Sequence, residues 1–120
     1  VNAWLAALLV AVGGGCGAAA RHHTAQWLRT ELGATPVAGI LVANVIGSFI
    51  LGLLAGAAID GARLALVGIG FCGAYTTFST FSLDLWEALH EGRIRHAIAN
   101  VTVSLTLGLL AAYAGFALTR

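Results

Sequence analysis

The placement of charge constrains this chain more than any other feature. Ionised side chains stand at positions 21, 29, 31, 60, 63, 84, 87, 91, 93, 95 and 120. Between them lie four charge-free stretches, Val1–Ala20, Leu32–Ile59, Leu64–Leu83 and His96–Thr119, of 20, 28, 20 and 24 residues. A transmembrane helix needs about 20 apolar residues. Four stretches of that length predict four spans, with connections around Thr30–Pro36, Asp60–Arg63 and His90–Arg95. β-Barrel strands would be shorter and alternate in polarity. Charged residues make up 9% of the chain, where a soluble domain carries about 25%. With 59% hydrophobic residues the chain cannot clothe a compact domain in a water-facing surface, and disorder needs the opposite balance. A net charge of +1 argues against a nucleic-acid module.

The expected fold is an all-α membrane protein with one four-helix transmembrane domain over 1–120, its spans near 2–28, 36–59, 63–88 and 95–119. The first stretch lacks a basic n-region and runs on into Arg21, His22 and His23, so it reads as a retained helix rather than a cleaved signal. Cys16 and Cys72 form no C-x-x-C pair and read as small packing residues. Four spans place Arg63 and Arg120 on one side, and Arg29, Arg93 and Arg95 on the other with Arg21 near the same end. That bias does not fix an orientation by the positive-inside rule, and leaves insertion in both senses open.

The spans are not plain apolar anchors. Residues four apart share a helix face. Gly13, Gly17 and Arg21 line up in the first span, Asn44, Ser48, Gly52 and Gly56 in the second, Asn100, Ser104 and Gly108 in the fourth. Small residues at this spacing let backbones approach closely. Asn in hydrocarbon is costly unless paired or facing a polar cavity, so Asn44 and Asn100 serve either an interhelical hydrogen bond or a pathway.

The third span carries Gly70-Phe71-Cys72-Gly73-Ala74-Tyr75-Thr76-Thr77-Phe78-Ser79-Thr80-Phe81-Ser82, with five hydroxyls in its last seven residues. Gly73 and the Thr76-Thr77 pair are weak helix formers. A helix break near mid-membrane is one expectation, tolerated where protein or a water-filled cavity satisfies the freed backbone. The alternative, a continuous helix whose hydroxyls bond back to their own carbonyls, is cheap for one or two hydroxyls and less persuasive for five, so the third helix is expected to be broken. Phe78 and Phe81 share a face. Two Phe on a membrane helix serve lipid contact or packing, but an aromatic ring has a positive edge that can also receive a small anion.

These residues resemble the bacterial fluoride channels of the CrcB or Fluc family. Gly13-Gly14-Gly15-Cys16-Gly17-Ala18-Ala19-Ala20-Arg21 is similar to its first-helix G-G-x-x-G-x-x-x-R pattern. Gly39-Ile40-Leu41-Val42-Ala43-Asn44-Val45-Ile46-Gly47-Ser48-Phe49 resembles G-T-L-x-x-N-x-x-G-S-F, and the third-span segment resembles G-x-C-G-G-x-T-T-F-S-T-F-S. The resemblance implies an antiparallel, dual-topology homodimer in the bacterial inner membrane, and selective, passive efflux of fluoride that protects the cytoplasm. No enzyme constellation appears among the residues, so no enzyme activity is expected. The resemblance also implies that Phe78 and Phe81 turn ring edges to the ion, that Asn44 donates its amide, and that Ser104, with Ser79 and Thr80, belongs to a hydroxyl track. Arg21 would stand at the aqueous vestibule. Backbone carbonyls of Gly73 and Thr76 from both subunits would hold a structural sodium ion at the dimer axis. Three positions depart from the pattern: Ile40 replaces a Thr, Ala74 replaces a Gly, and Gly108 supplies no hydroxyl to the fourth helix.

Two other readings compete. A proton-coupled multidrug exporter also has four spans, but needs a membrane-embedded carboxylate, and Asp84, Glu87 and Glu91 cluster at the end of the third span. A noncatalytic assembly subunit would explain the glycines but not the hydroxyl-rich segment. His22, His23, His90 and His96 read as interfacial rather than metal-binding. Trp4, Trp27 and Trp86 fall near span ends, where aromatic belts sit, and Arg93 and Arg95 suit lipid headgroups.

Overall fold

The computed structural model describes residues 2–120. It is all-helical, and four helical runs are long and apolar enough to cross a membrane. Helix α1 spans Ala3–Leu32, α2 Pro36–Gly56 and α6 Ile94–Thr119. The run between α2 and α6 is composite. A turn of α-helix, α3 (Gly61–Arg63), passes into a π-helical segment, π1 (Leu64–Cys72). It tightens again in α4 (Gly73–Tyr75) and, beyond two extended residues, resumes as α5 (Phe78–His90).

Local chemistry sets the ends. The Asn2 side chain caps α1, its Oδ1 accepting from the Leu5 amide at 2.8 Å. The helix runs past Leu28 to Leu32, because Arg29 and Glu31 are compatible with an exposed helical turn. It stops where Gly33 takes a left-handed φ of 64°. Thr35 caps α2 through the Ala38 amide, and Pro36 occupies the first turn, where no amide donor is needed. The second connection begins earlier than the charges suggest: α2 ends at Gly56, and Ala58 carries a positive φ of 55°.

Two backbone seams hold the helices together. In the first, α1 lies against π1. A Cβ on Gly13 would overlap the Leu66 carbonyl, and one on Gly17 the Phe71 carbonyl. In the second, α2 lies against α6: Gly52 abuts the Ala112 carbonyl, Gly56 that of Phe116, and Gly115 that of Phe49. At both seams the glycines create room that side chains would fill. Thr119 Oγ1 adds a hydrogen bond to the Leu53 carbonyl at 2.8 Å, closing the far end of the α2–α6 seam. Few large side chains are buried. Trp4, Leu109, Leu118 and Phe78 are all more than two-thirds exposed, as suits a molecule solvated by lipid rather than water.

Candidate functional site

The site is built around Thr76 and Thr77, the two extended residues between α4 and α5. Thr76 has φ −86° and ψ 159°, and Thr77 φ −146° and ψ 119°. An extended pair inside an apolar run strands backbone donors and acceptors, which cost free energy in hydrocarbon if left bare. Side chains meet part of that need. Asn44 on α2 binds both sides of Thr77: its Oδ1 accepts from the Thr77 amide at 2.9 Å, and its Nδ2 donates to the Thr77 carbonyl at 3.3 Å. Thr77 then caps α5, its Oγ1 accepting from the Thr80 amide at 3.3 Å. Thr76 folds back, donating its hydroxyl to the Cys72 carbonyl at 2.8 Å.

These bonds have a consequence for two carbonyls. In a continuous helix the Gly73 oxygen would receive the Thr77 amide, and the Thr76 oxygen the Thr80 amide. Both donors are instead captured, by Asn44 Oδ1 and by Thr77 Oγ1. The Gly73 and Thr76 carbonyls therefore lose their helical donors, while the Thr76 amide keeps its own bond to the Cys72 carbonyl at 3.0 Å.

Beside this segment lies an open cavity of about 290 Å³, lined by Asn44, Ser48 and Leu51 of α2, Thr76, Thr77, Phe78 and Phe81 of the third run, and Ser104, Leu105 and Gly108 of α6. No lining residue is ionisable. Its polar groups are one carboxamide, four hydroxyl side chains and the adjacent backbone. The rings of Phe78 and Phe81 stand 6.1 Å apart, tilted by 44°. Phe78 is 78% exposed, so one side of the cavity is open.

The structure thus gathers Asn44, Phe78, Phe81 and Ser104 around one space. It places Ser79 and Thr80 elsewhere: neither lines the cavity, and both hydroxyls lie within hydrogen-bond reach of Thr77 Oγ1, at 3.4 and 3.2 Å. Ser104 donates to Asn100 Oδ1 at 3.1 Å, a bond within α6 rather than between helices. Arg21 is half-buried on α1 between Gly17 and Thr24 and does not reach the cavity lining. The one ion pair among the described residues, Arg93 with Glu91, is exposed and lies in the loop before α6. Sequence reasoning left out Thr77 and Ser48 as site residues. Ser48 was visible in the Asn44 stripe. Thr77 could have been found as a hydroxyl placed just ahead of an amphipathic helix, the position of an N-cap. Ile40, where the family pattern has Thr, is outside the lining, whereas Gly108 is part of it, with its missing Cβ position 3.7 Å from Ser48 Oγ.

The sequence has relatives among known proteins. The family described as CrcB-like protein, Camphor Resistance (CrcB), matches residues 8–116. The chain is 44% identical to the fluoride-specific ion channel FluC 2 of Rhodococcus jostii, over 93% of this chain and 96% of that one. It is 43% identical to FluC 1 of Symbiobacterium thermophilum, over 92% and 94%. Identity to the fluoride-specific ion channel FluC of Pyrococcus horikoshii is 35%, over 100% and 99%.

Proposed function

This chain belongs to the CrcB family, and we propose that it is a fluoride-specific channel carrying the anion passively out of the cell. The observation that carries the reading is the cavity at the Thr76–Thr77 segment: polar, bordered by two phenylalanine rings, and free of ionised side chains. Fluoride is small and strongly hydrated. A conduit for it must replace water with donors, yet hold it loosely enough to let it leave. Fixed cations would bind too tightly. Neutral dipoles and ring edges meet both demands.

The residues divide the work. Asn44 spends one amide proton on the Thr77 carbonyl and retains a second for the ion. Ser48 and Ser104 supply hydroxyls, Ser104 by turning from Asn100. Phe78 and Phe81 offer their edges. Ser79 and Thr80 are engaged with Thr77, and act on the ion through the shape of that segment. Arg21 raises the local anion concentration at the entrance. From an acidic medium fluoride enters cells as HF and is trapped as the anion in the less acidic cytoplasm, so a negative interior suffices to drive it outward.

The functional unit in this reading is an antiparallel homodimer with dual topology, seated in the bacterial inner membrane. The open side of the cavity at Phe78 and the weak arginine bias both support it. A structural sodium ion also fits the donor set. The Gly73 and Thr76 carbonyls, relieved of their helical donors, are hard neutral oxygens of the type such an ion selects. The ion would contribute charge that fixes the two interrupted segments against each other. A proton-coupled exporter would need a membrane-embedded carboxylate at its site, and none lines this cavity; Asp84, whose Oδ2 is buried without a partner, sits on α5 outside the lining.

Efflux from liposomes tests the reading. With a potassium ionophore shunting the voltage, fluoride should leave rapidly while chloride is retained. Equal rates for the two halides would defeat it. Phe78→Ile or Phe81→Ile should slow fluoride severely in protein that still folds; unchanged flux would remove the rings from the pathway.

A further inference from the structure

Tyr75 is the last helical residue before the extended pair, and it is 4% exposed, the most enclosed aromatic side chain in the molecule. Its ring stacks on Phe71, with centroids 5.5 Å apart and planes 14° from parallel. It is also wedged between two helices. A Cβ on Gly17 of α1 would come within 3.0 Å of the Tyr75 amide nitrogen, and one on Gly47 of α2 within 3.7 Å of the ring. Phe would satisfy all of this packing. The phenolic oxygen does something further: it lies 2.9 Å from Thr24 Oγ1 on α1, the two hydroxyls sharing one hydrogen bond.

We propose that Thr24 and Tyr75 are a positioning pair for fluoride permeation, fixing the first end of the Thr76–Thr77 segment to α1 while Asn44 fixes the second end to α2. Neither hydroxyl lines the cavity, so neither touches the ion there. They act through Thr76, Thr77 and Phe78, which follow Tyr75 directly and do line it. A buried Tyr hydroxyl needs a partner, and Thr24 is the partner present. The alternative for Thr24 is a bond back to its own helix, which would release Tyr75. The link therefore distinguishes one placement of the segment from its neighbours. A cavity that admits a small halide and rejects a larger one depends on such placement, because its walls are not held by charge.

The inference rests on the channel reading, and its test separates the two. Fluoride and chloride efflux are measured from liposomes, per folded protein, for the unaltered chain, Tyr75→Phe, Thr24→Val, Thr24→Ser and the Tyr75→Phe/Thr24→Val double variant. Tyr75→Phe keeps the ring and its stacking. Loss of one net hydrogen bond should reduce the correctly placed population, and with it the fluoride-to-chloride ratio, by about fivefold. Thr24→Ser should restore the ratio. The double variant should be no worse than either single one, since all three lack the same bond. Wild-type ratios in both Tyr75→Phe and Thr24→Val would overturn the proposal. So would a Thr24→Ser variant as impaired as Thr24→Val, or fully additive losses. A purely structural bond would lower thermal stability and yield while leaving the ratio per folded protein unchanged, which also counts against it. An unaltered chain that passes no fluoride would overturn the channel reading itself.

Discussion

The two halves of α2 show opposite ways of joining helices where lipid is the solvent. The later half meets α6 by omission. Gly52 and Gly56 bring backbone against the Ala112 and Phe116 carbonyls, with one polar addition at the far end, the Thr119 hydroxyl on the Leu53 carbonyl. The earlier half meets the Thr76–Thr77 segment by addition. Gly47 clears a place for the Thr76 methyl group, and Asn44 then replaces the backbone partners that Thr77 has lost. Lipid provides no hydrophobic drive between helices, so association rests on close packing or on polar bonds. A helix that keeps its ladder can use the first. An interrupted one must use the second.

The contrast can be broken at several points. Asn44→Leu should have the largest effect, stranding the Thr77 amide and carbonyl at about 1–3 kcal/mol each. Loss of fluoride flux and of the thermal unfolding transition in detergent would register it. A variant that unfolds like the parent would mean the segment does not depend on α2. Gly52→Ala should follow, at about 1–3 kcal/mol, because the new methyl meets a carbonyl on α6 that cannot move without the helix. Unfolding should occur earlier with fluoride flux per folded protein unchanged, and unchanged stability would mean that the seam has room for a methyl group. Thr77→Val removes one N-cap and should cost about 1 kcal/mol. Its signature is faster hydrogen exchange at the start of α5, and protection equal to the parent would assign the cap elsewhere. Gly15→Ala should be smallest, within about 0.5 kcal/mol, since nothing lies within 4 Å of its missing Cβ. A large loss there would show that its exposed face is covered.

Parts of this arrangement were legible in the sequence. The spacing of charge marked four membrane-crossing runs, and the small-residue stripes marked which faces pack. Gly13, Gly17, Gly52 and Gly56 all meet backbone. Gly115, which closes the α2–α6 seam from the other side, belonged to no stripe that periodicity singled out. The density of hydroxyls in the third run marked it as unusual. It did not say which hydroxyls the protein keeps for itself. Ser79 and Thr80 look as available as Ser104 in a linear reading, but they lie beside Thr77 and away from the cavity. The π-helical path of Leu64–Cys72 was equally silent, because an apolar run has the same composition at either pitch.

The sequence alone determined the solvent, the number of spans and the family, since each follows from which residues are charged and in what order the motifs fall. It also placed Asn44 and the two phenylalanines among the residues to watch. Only the tertiary structure decided that Asn44 is shared between the protein and the cavity, that Tyr75 is tied to Thr24, and that Gly73 and Thr76 give up their helical donors. The reason is that hydrogen-bond partners far apart in sequence compete for the same few groups. That competition is settled by distance and direction, which no linear pattern contains.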